Sequence, residues 1–146
     1  MPGLEDLYRE IILDHYKNPR NRGELDTPPA TMAEGHNPLC GDEITVFVQV
    51  DGDVVSDVKV SGQGCSISQS SASMMSQAIK GKSLDEVRAL VHRFKVMMSI
   101  EEDADDAAQP AVKLGDLEAL QGVVKFPVRI KCATLAWNTL VEALES

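Results

Sequence analysis

Three cysteines and one aspartate are the residues of this sequence with the greatest capacity for chemistry. Cys40 and Asp42 lie on either side of Gly41, and in an extended segment side chains two residues apart point the same way. Gly41 leaves room for another group to come close to the backbone. A thiol and a carboxylate can therefore face one partner here. The same residues also suit a structural role, with Cys40 as a small apolar residue and Asp42 as a turn cap.

The second cysteine stands between a predicted strand and a predicted helix. Cys65 follows Gly62-Gln63-Gly64 and immediately precedes the helix expected from Ser66. Unpaired backbone N–H groups and the positive end of the helix dipole favour a thiolate at such a position. A dinucleotide-binding glycine motif would also fit this place, but Ile67 replaces its third glycine and no strand–helix alternation follows. Nucleotide binding is therefore excluded.

Cys132 completes a set of side chains that could hold a metal. It lies near the predicted start of the last helix, so all three cysteines fall at the ends of elements and could converge. Three thiolates and the Asp42 carboxylate supply the four ligands of a tetrahedral Zn²⁺ site, and the same groups could hold a [2Fe–2S] cluster. Spacing alone does not choose between these metals. The odd number of cysteines argues against a disulfide framework, and the sequence contains no Cys-x-x-Cys motif.

Length and composition predict one soluble domain. The 146 residues are 43% hydrophobic and 25% charged, which suits a single domain over residues 1–146 with one core. The net charge of −9 argues against nucleic-acid binding and favours protein partners with basic patches. No apolar run approaches the roughly 20 residues of a membrane span, and the acidic N-terminus lacks the apolar region of a secretory signal. We therefore expect a cytoplasmic protein without membrane association.

Apolar periodicity predicts an α+β fold, in which a small antiparallel β-sheet packs against several α-helices. Ile44 to Val50 and Val54 to Ser61 alternate as two strands of a hairpin that turns at Asp51-Gly52. The polar, proline-bearing chain from Lys17 to Gly35 favours a long loop, and the acidic run at 101–106 favours a solvated one. Helices are expected over Leu4 to Tyr16, Ser66 to Lys80, Ser83 to about Ser99 and Asp116 to Gln121, with a last helix that Lys125 to Cys132 leads into.

Three motifs resemble those of the U-type iron–sulfur cluster assembly proteins. In chain order they are HNPLCGD from His36 to Asp42, GCSIS from Gly64 to Ser68, and KCATLAW from Lys131 to Trp137. The resemblance extends over nearly the whole chain and includes DHYKNPR from Asp14 to Arg20. It implies a SufE/NifU-like α+β domain.

Within that family, the chain resembles the SufU branch more than the IscU scaffold branch. Lys131 replaces the histidine that directly precedes the last cysteine in the scaffolds, and Pro127 stands alone where their chaperone-recognition segment has two prolines. The stretch between about Ser99 and Cys132 is also longer than in the scaffolds. These departures argue against a scaffold role and against an Hsp70-type chaperone partner.

The resemblance to the SufU branch also implies an activity and a set of site residues. SufU-type proteins bind zinc and accept persulfide sulfur from a SufS-type cysteine desulfurase, with other SUF assembly proteins as further candidate partners. Two alternatives remain, a scaffold on which a [2Fe–2S] cluster is built and passed to apo-proteins, and a zinc-stabilised interaction protein without chemistry. Carried over to this chain, the zinc ligands are Cys40, Asp42, Cys65 and Cys132, with Cys40 as the persulfide acceptor and Arg129 as a residue that could balance the anionic site.

Overall fold

The computed structural model describes residues 2–27, 29–38, 41–98 and 115–145. Over these residues the chain forms a three-stranded antiparallel sheet, four α-helices and one 3₁₀ helix. The strands are β1 (Thr31–Asn37), β2 (Asp42–Asp51) and β3 (Val54–Gln63). The helices are α1 (Pro2–Lys17), α2 (Ser66–Ile79), α3 (Leu84–Met97), the 3₁₀ helix (Gly115–Lys125) and α4 (Pro127–Glu145).

The sheet presents one apolar face to the helices. Its strand order is β1-β2-β3, and alternate residues of β2 and β3, such as Val46 and Val60, are paired and buried. α4 packs across β1 and β2 and against α2, while α1 packs against α2 and the 3₁₀ helix. The predicted α+β architecture is therefore confirmed.

The centre of the core is an aromatic pair between two helices. Phe94 of α3 and Trp137 of α4 stack with ring centroids 4.4 Å apart, and both side chains are fully buried. The Trp137 indole N–H donates a hydrogen bond of 3.1 Å to the Ser71 hydroxyl on α2, which satisfies its one polar group. Three helices are thus fixed relative to one another around one tryptophan.

The end of α1 and the segment after it are held on α2 by hydrogen bonds as well as by packing. The backbone N–H of Arg20 donates to the Ser73 hydroxyl at 2.9 Å, and the buried His15 ring contacts the same oxygen at 2.8 Å. At the end of α1, hydrogen bonds from Arg20 and Asn18 lower the pKa of the Asp14 carboxyl. The helix and the loop that follows it are therefore anchored as one unit.

The prediction of a loop from Lys17 to Gly35 is wrong over its last residues, because β1 begins at Thr31. Residues exposed on one side of β1 alternate with half-buried residues that face α4. The inward positions include Ala33 and Gly35, which are too small to give a recognisable apolar alternation. A side chain at Gly35 would run into the Thr139 hydroxyl and lie 3.1 Å from a methyl of Leu135, so α4 packs directly on the strand backbone.

The structure also moves the start of the last helix. α4 begins at Pro127, a residue suited to the first helical position, so Cys132 lies inside the helix and not before it. The short helix predicted over Asp116 to Gln121 is a longer 3₁₀ helix that runs from Gly115 to Lys125. α3 ends at Met97, and the predicted loop at 101–106 lies outside the described residues.

Gly35→Ala should destabilise the protein, because the added methyl group has to displace either α4 or the backbone of β1. We expect a loss of about 1–3 kcal/mol, typical of overpacking a core. Thermal unfolding followed by circular dichroism measures it. Gly122→Ala is the matched control, since a methyl group there meets no atom within 4 Å. Equal melting temperatures for the two variants would contradict the close packing of α4 on β1.

Candidate metal site

Three of the four predicted ligands come together at one end of the sheet. They are Asp42 at the start of β2, Cys65 at the start of α2 and Cys132 in the second turn of α4. One ligand atom from each lies within 4.8 Å of the other two. Cys40, the fourth predicted ligand, lies outside the described residues, so its place in the set stays a prediction.

The Asp42 carboxylate is held by the first turn of α2. It is fully buried, and its Oδ1 accepts a hydrogen bond of 2.8 Å from the backbone N–H of Cys65. Oδ2 lies 3.9 Å from the Cys65 sulfur. Because one oxygen is engaged by the backbone, the other is the one that remains to face the two thiols. The positive end of the α2 dipole further stabilises negative charge at this position.

Gly64 makes this arrangement possible. A Cβ atom at Gly64 would lie 2.9 Å from Cγ of Asp42 and closer still to its Oδ1, a separation that real side chains do not adopt. The glycine therefore lets the carboxylate lie directly over the backbone N–H of Cys65. The sequence shows a glycine before the cysteine, but its contact with Asp42 depends on a strand–helix approach that no local pattern reveals.

Cys132 is held by groups from two elements. Its side chain is fully buried, and its sulfur lies 3.6 Å from the Val128 carbonyl oxygen of the preceding helical turn. The side-chain amide of Asn37 donates to the same sulfur from 3.9 Å. Asn37 and Asp42 are paired across β1 and β2, so one strand pair supplies both the carboxylate and this amide.

The geometry fits a zinc ion. Ligand atoms of a tetrahedral zinc site, with metal–ligand bonds of roughly 2.0–2.3 Å, lie about 3.3–3.8 Å apart. The separations here are at most 4.8 Å, so a small contraction would bring Asp42, Cys65 and Cys132 to bonding distance of one ion. Two sulfur donors suit zinc and suit an iron–sulfur cluster as well. The donor set therefore agrees with a metal centre.

The two basic residues near Cys132 do not belong to the buried set. Arg129 and Lys131 are both exposed on α4, and no contact between either of them and Asp42 or Cys65 is found among the described residues. The predicted role of Arg129 in balancing the charge of the site stays a prediction. The N–H donors that contact the ligands are the Cys65 backbone amide, on Asp42, and the Asn37 side-chain amide, on Cys132.

Comparison with known proteins places these features in a family of sequences. The sequence model of the NifU-like N terminal domain family matches residues 7–145. The zinc-dependent sulfurtransferase SufU of Bacillus subtilis is 51% identical over 94% of this chain and 88% of its own length. The iron–sulfur cluster assembly scaffold protein IscU of Streptococcus pyogenes is 45% identical over 97% of this chain and 85% of its own.

A solved structure agrees with the fold. The N-terminal part of a nitrogen-fixing NifU-like protein from Brucella abortus superposes with a TM-score of 0.79 at 25% identity, and the match covers 97% of this chain and 94% of that one. None of the helices in the described residues is long and apolar enough to cross a bilayer.

Gly64→Ala should weaken zinc binding, because the added methyl group displaces the Asp42 carboxylate from the Cys65 N–H. We expect a loss of about 10- to 100-fold in affinity, as for other groups that orient a ligand. Competition with a chromophoric chelator measures the affinity, and thermal unfolding of the metal-free protein reports any general damage to the fold.

A double-mutant cycle separates this positioning role from a general one. In the Asp42→Ala background the same Gly64→Ala change should cost little further affinity, since the carboxylate that it displaces is absent. Gly122→Ala again serves as the control with open space around it. An equal loss in both backgrounds would show that Gly64 does not act through Asp42.

Proposed function

Because the chain belongs to the NifU-like N terminal domain family, we propose that it is a zinc-dependent sulfurtransferase that accepts persulfide sulfur from a SufS-type cysteine desulfurase during iron–sulfur cluster assembly. The observation that carries the proposal is the convergence of Asp42, Cys65 and Cys132 within 4.8 Å. The name of the Bacillus subtilis relative supports the choice of zinc and of sulfur transfer. A cytoplasmic location and a single domain over residues 1–146 are part of the same proposal.

Zinc, when bound, holds thiols as thiolates near neutral pH. The proposed transfer is an exchange between sulfur atoms and needs no outside oxidant. The thiolate of Cys40 attacks the outer sulfur of the desulfurase persulfide, and a new S–S bond forms on Cys40. The S–S bond on the desulfurase breaks, and its cysteine leaves as a thiolate. One sulfur atom has then moved with no net change in oxidation state.

Burial supports Cys40 as the acceptor among the three cysteines. Cys132 has no exposed surface and lies inside α4, so a sulfur on a partner protein has no access to it without movement of the helix. Cys65 is half-buried at the start of α2 and fixed through its own backbone N–H to Asp42. The hydrogen bond to one oxygen of Asp42 holds this carboxylate in place, while we propose that Cys40 leaves the zinc to take up the sulfur.

A [2Fe–2S] scaffold is the second candidate function. The Streptococcus pyogenes relative, which carries the name of a scaffold, is 45% identical, and thiolates suit such a cluster. Lys131 distinguishes the two functions, because the scaffolds that the sequence resembles have a histidine at that position. Here the lysine is exposed and the neighbouring Cys132 is buried.

Metal analysis of the protein purified without oxygen tests the choice of metal. We expect about one zinc per chain and neither iron nor acid-labile sulfide. Removal of the zinc should lower the melting temperature, because a ligand that binds the native state stabilises it. Stoichiometric iron and sulfide would support the scaffold instead, and an unchanged melting temperature would argue that the thiols do not form one site.

Intact-mass analysis tests the acceptor. After incubation with a SufS-type desulfurase and free cysteine, the chain should gain one sulfur atom on the peptide that contains Cys40. Cys40→Ser should abolish both the added sulfur and the stimulation of the desulfurase. Cys65→Ser is the matched control, because it removes another predicted cysteine ligand. It should weaken zinc binding, but the added sulfur should still be found on the peptide that contains Cys40. Sulfur found on Cys132 of the parent protein would refute the assignment.

A further inference from the structure

A large cleft opens beside the metal site. It has a volume of about 920 Å³ and lies between α1, the start of α2, the 3₁₀ helix and the start of α4. Apolar side chains line it, among them Ile12, Ile67 and Val123. The zinc and sulfur chemistry proposed above makes no use of this cleft.

The cleft is lined by residues of the helices that follow Cys65 and carry Cys132. Ile67 lies two residues after Cys65 on α2, and Phe126 lies at the start of the helix that carries Cys132. A protein that brings a persulfide to the site has to cover the surface around it, and this cleft is part of that surface. Docking into it would place a partner against Ser66, the residue directly after Cys65.

Exposed apolar side chains at the cleft have the character of an interface. Phe126 is 60% exposed and Leu13 is 38% exposed, and Val128 next to the cleft is 53% exposed. Large apolar side chains grouped at one place on a surface are characteristic of protein interaction sites. A partner that covers them removes this area from water, which favours association.

The charge at the cleft is opposite to that of the protein as a whole. Arg9 and Arg129 line the cleft, and neither has an ion pair among the residues that the structure describes. The chain as a whole has a net charge of −9. Two arginines around an apolar centre therefore select for an acidic segment, whereas the rest of the surface would repel one.

We propose that this cleft is the docking site for the desulfurase, and that it takes a segment with an apolar side chain flanked by carboxylates. The apolar side chain packs against Phe126 and Leu13, and the carboxylates pair with Arg9 and Arg129. This inference rests on the proposed function, since it names the surface through which the sulfur donor is recruited. A second copy of this chain is a poorer occupant, because two chains with a net charge of −9 repel each other.

Titration of the desulfurase with variants of the zinc-loaded chain tests the proposal. Arg9→Glu reverses one charge, and Phe126→Ser removes the most exposed apolar side chain. Each should raise the concentration for half-maximal stimulation roughly tenfold or more, as expected for a residue central to an interface. The maximal rate, the zinc content and the melting temperature should stay unchanged, because neither residue lies among the hydrogen-bond partners given for Asp42, Cys65 and Cys132 in the described part of the chain. The effect of Arg9→Glu should shrink as salt is raised.

Two control variants make the same kinds of change at exposed positions away from the cleft. Arg88→Glu reverses the charge of an exposed arginine on α3, and Val54→Ser removes an exposed apolar side chain from β3. Neither residue lines the cleft, so both variants should stimulate the desulfurase like the parent. Direct binding of the metal-loaded chain to the desulfurase, measured by calorimetry, gives the affinity independently of catalysis.

The outcomes distinguish the docking surface from the function. Stimulation by Arg9→Glu and Phe126→Ser at the same concentrations as the parent would overturn the docking site and leave the function intact. If the parent binds the desulfurase but does not stimulate it, and both variants bind it more weakly, the function would be overturned and the docking site would stand. Self-association of the parent that Phe126→Ser abolishes would show a second copy in the cleft and overturn the proposal. A lower melting temperature for both variants than for their controls would do the same, since the cleft would then be internal packing.

Discussion

The hydrogen bond from the Cys65 backbone N–H to the buried Asp42 carboxylate is the interaction on which the rest of the site depends. A carboxylate without exposed surface is costly unless its charge is compensated. Here the compensation comes from the N-terminus of α2, where unpaired N–H groups and the helix dipole favour an anion. The bond also fixes the start of β2 against the start of α2, because it joins the first residue of β2 to the N-cap residue of α2. This one hydrogen bond therefore both positions the Asp42 carboxylate and stabilises its negative charge.

Two glycines at which other groups come close to the backbone help to position Cys132, the third ligand. At Gly64 the missing side chain admits the carboxylate, and at Gly35 it admits α4 onto β1. With α4 packed on β1, Cys132 lies beside Asn37. Asn37 is in turn paired with Asp42 across β1 and β2, so these contacts connect all three elements. A larger side chain at Gly64 would displace the Asp42 carboxylate, and one at Gly35 would push α4 away from β1. The site is thus a consequence of how tightly the sheet and two helices pack.

The parts of the fold that follow a local rule could be predicted from the sequence. β2 and β3 alternate strongly in valine and isoleucine, and the Ser83 hydroxyl accepts a hydrogen bond of 3.2 Å from the Glu86 N–H, as its capping pattern predicts. β1 could not be predicted, because its inward positions carry alanine and glycine. The four candidate ligands follow from residue type and motif, whereas the contributions of Asn37 and Gly64 depend on pairing between strands and on contact with a helix. Such relations have no periodic signature.

The described ligands differ in how deeply they are buried, and this difference helps to explain how a site can keep its metal while one thiolate reacts. Cys132 and Asp42 are enclosed and hydrogen-bonded, so their positions depend on the core and not on a metal. A site whose other ligands are already held close together by hydrogen bonds and packing loses little order when one thiolate leaves. Exchange at one ligand then becomes compatible with retention of the ion. Among the described ligands the anchoring is uneven, since Cys65 is half-buried whereas Asp42 and Cys132 are enclosed. Such a set suits the exchange of a thiolate better than a closed set of equally anchored ligands would.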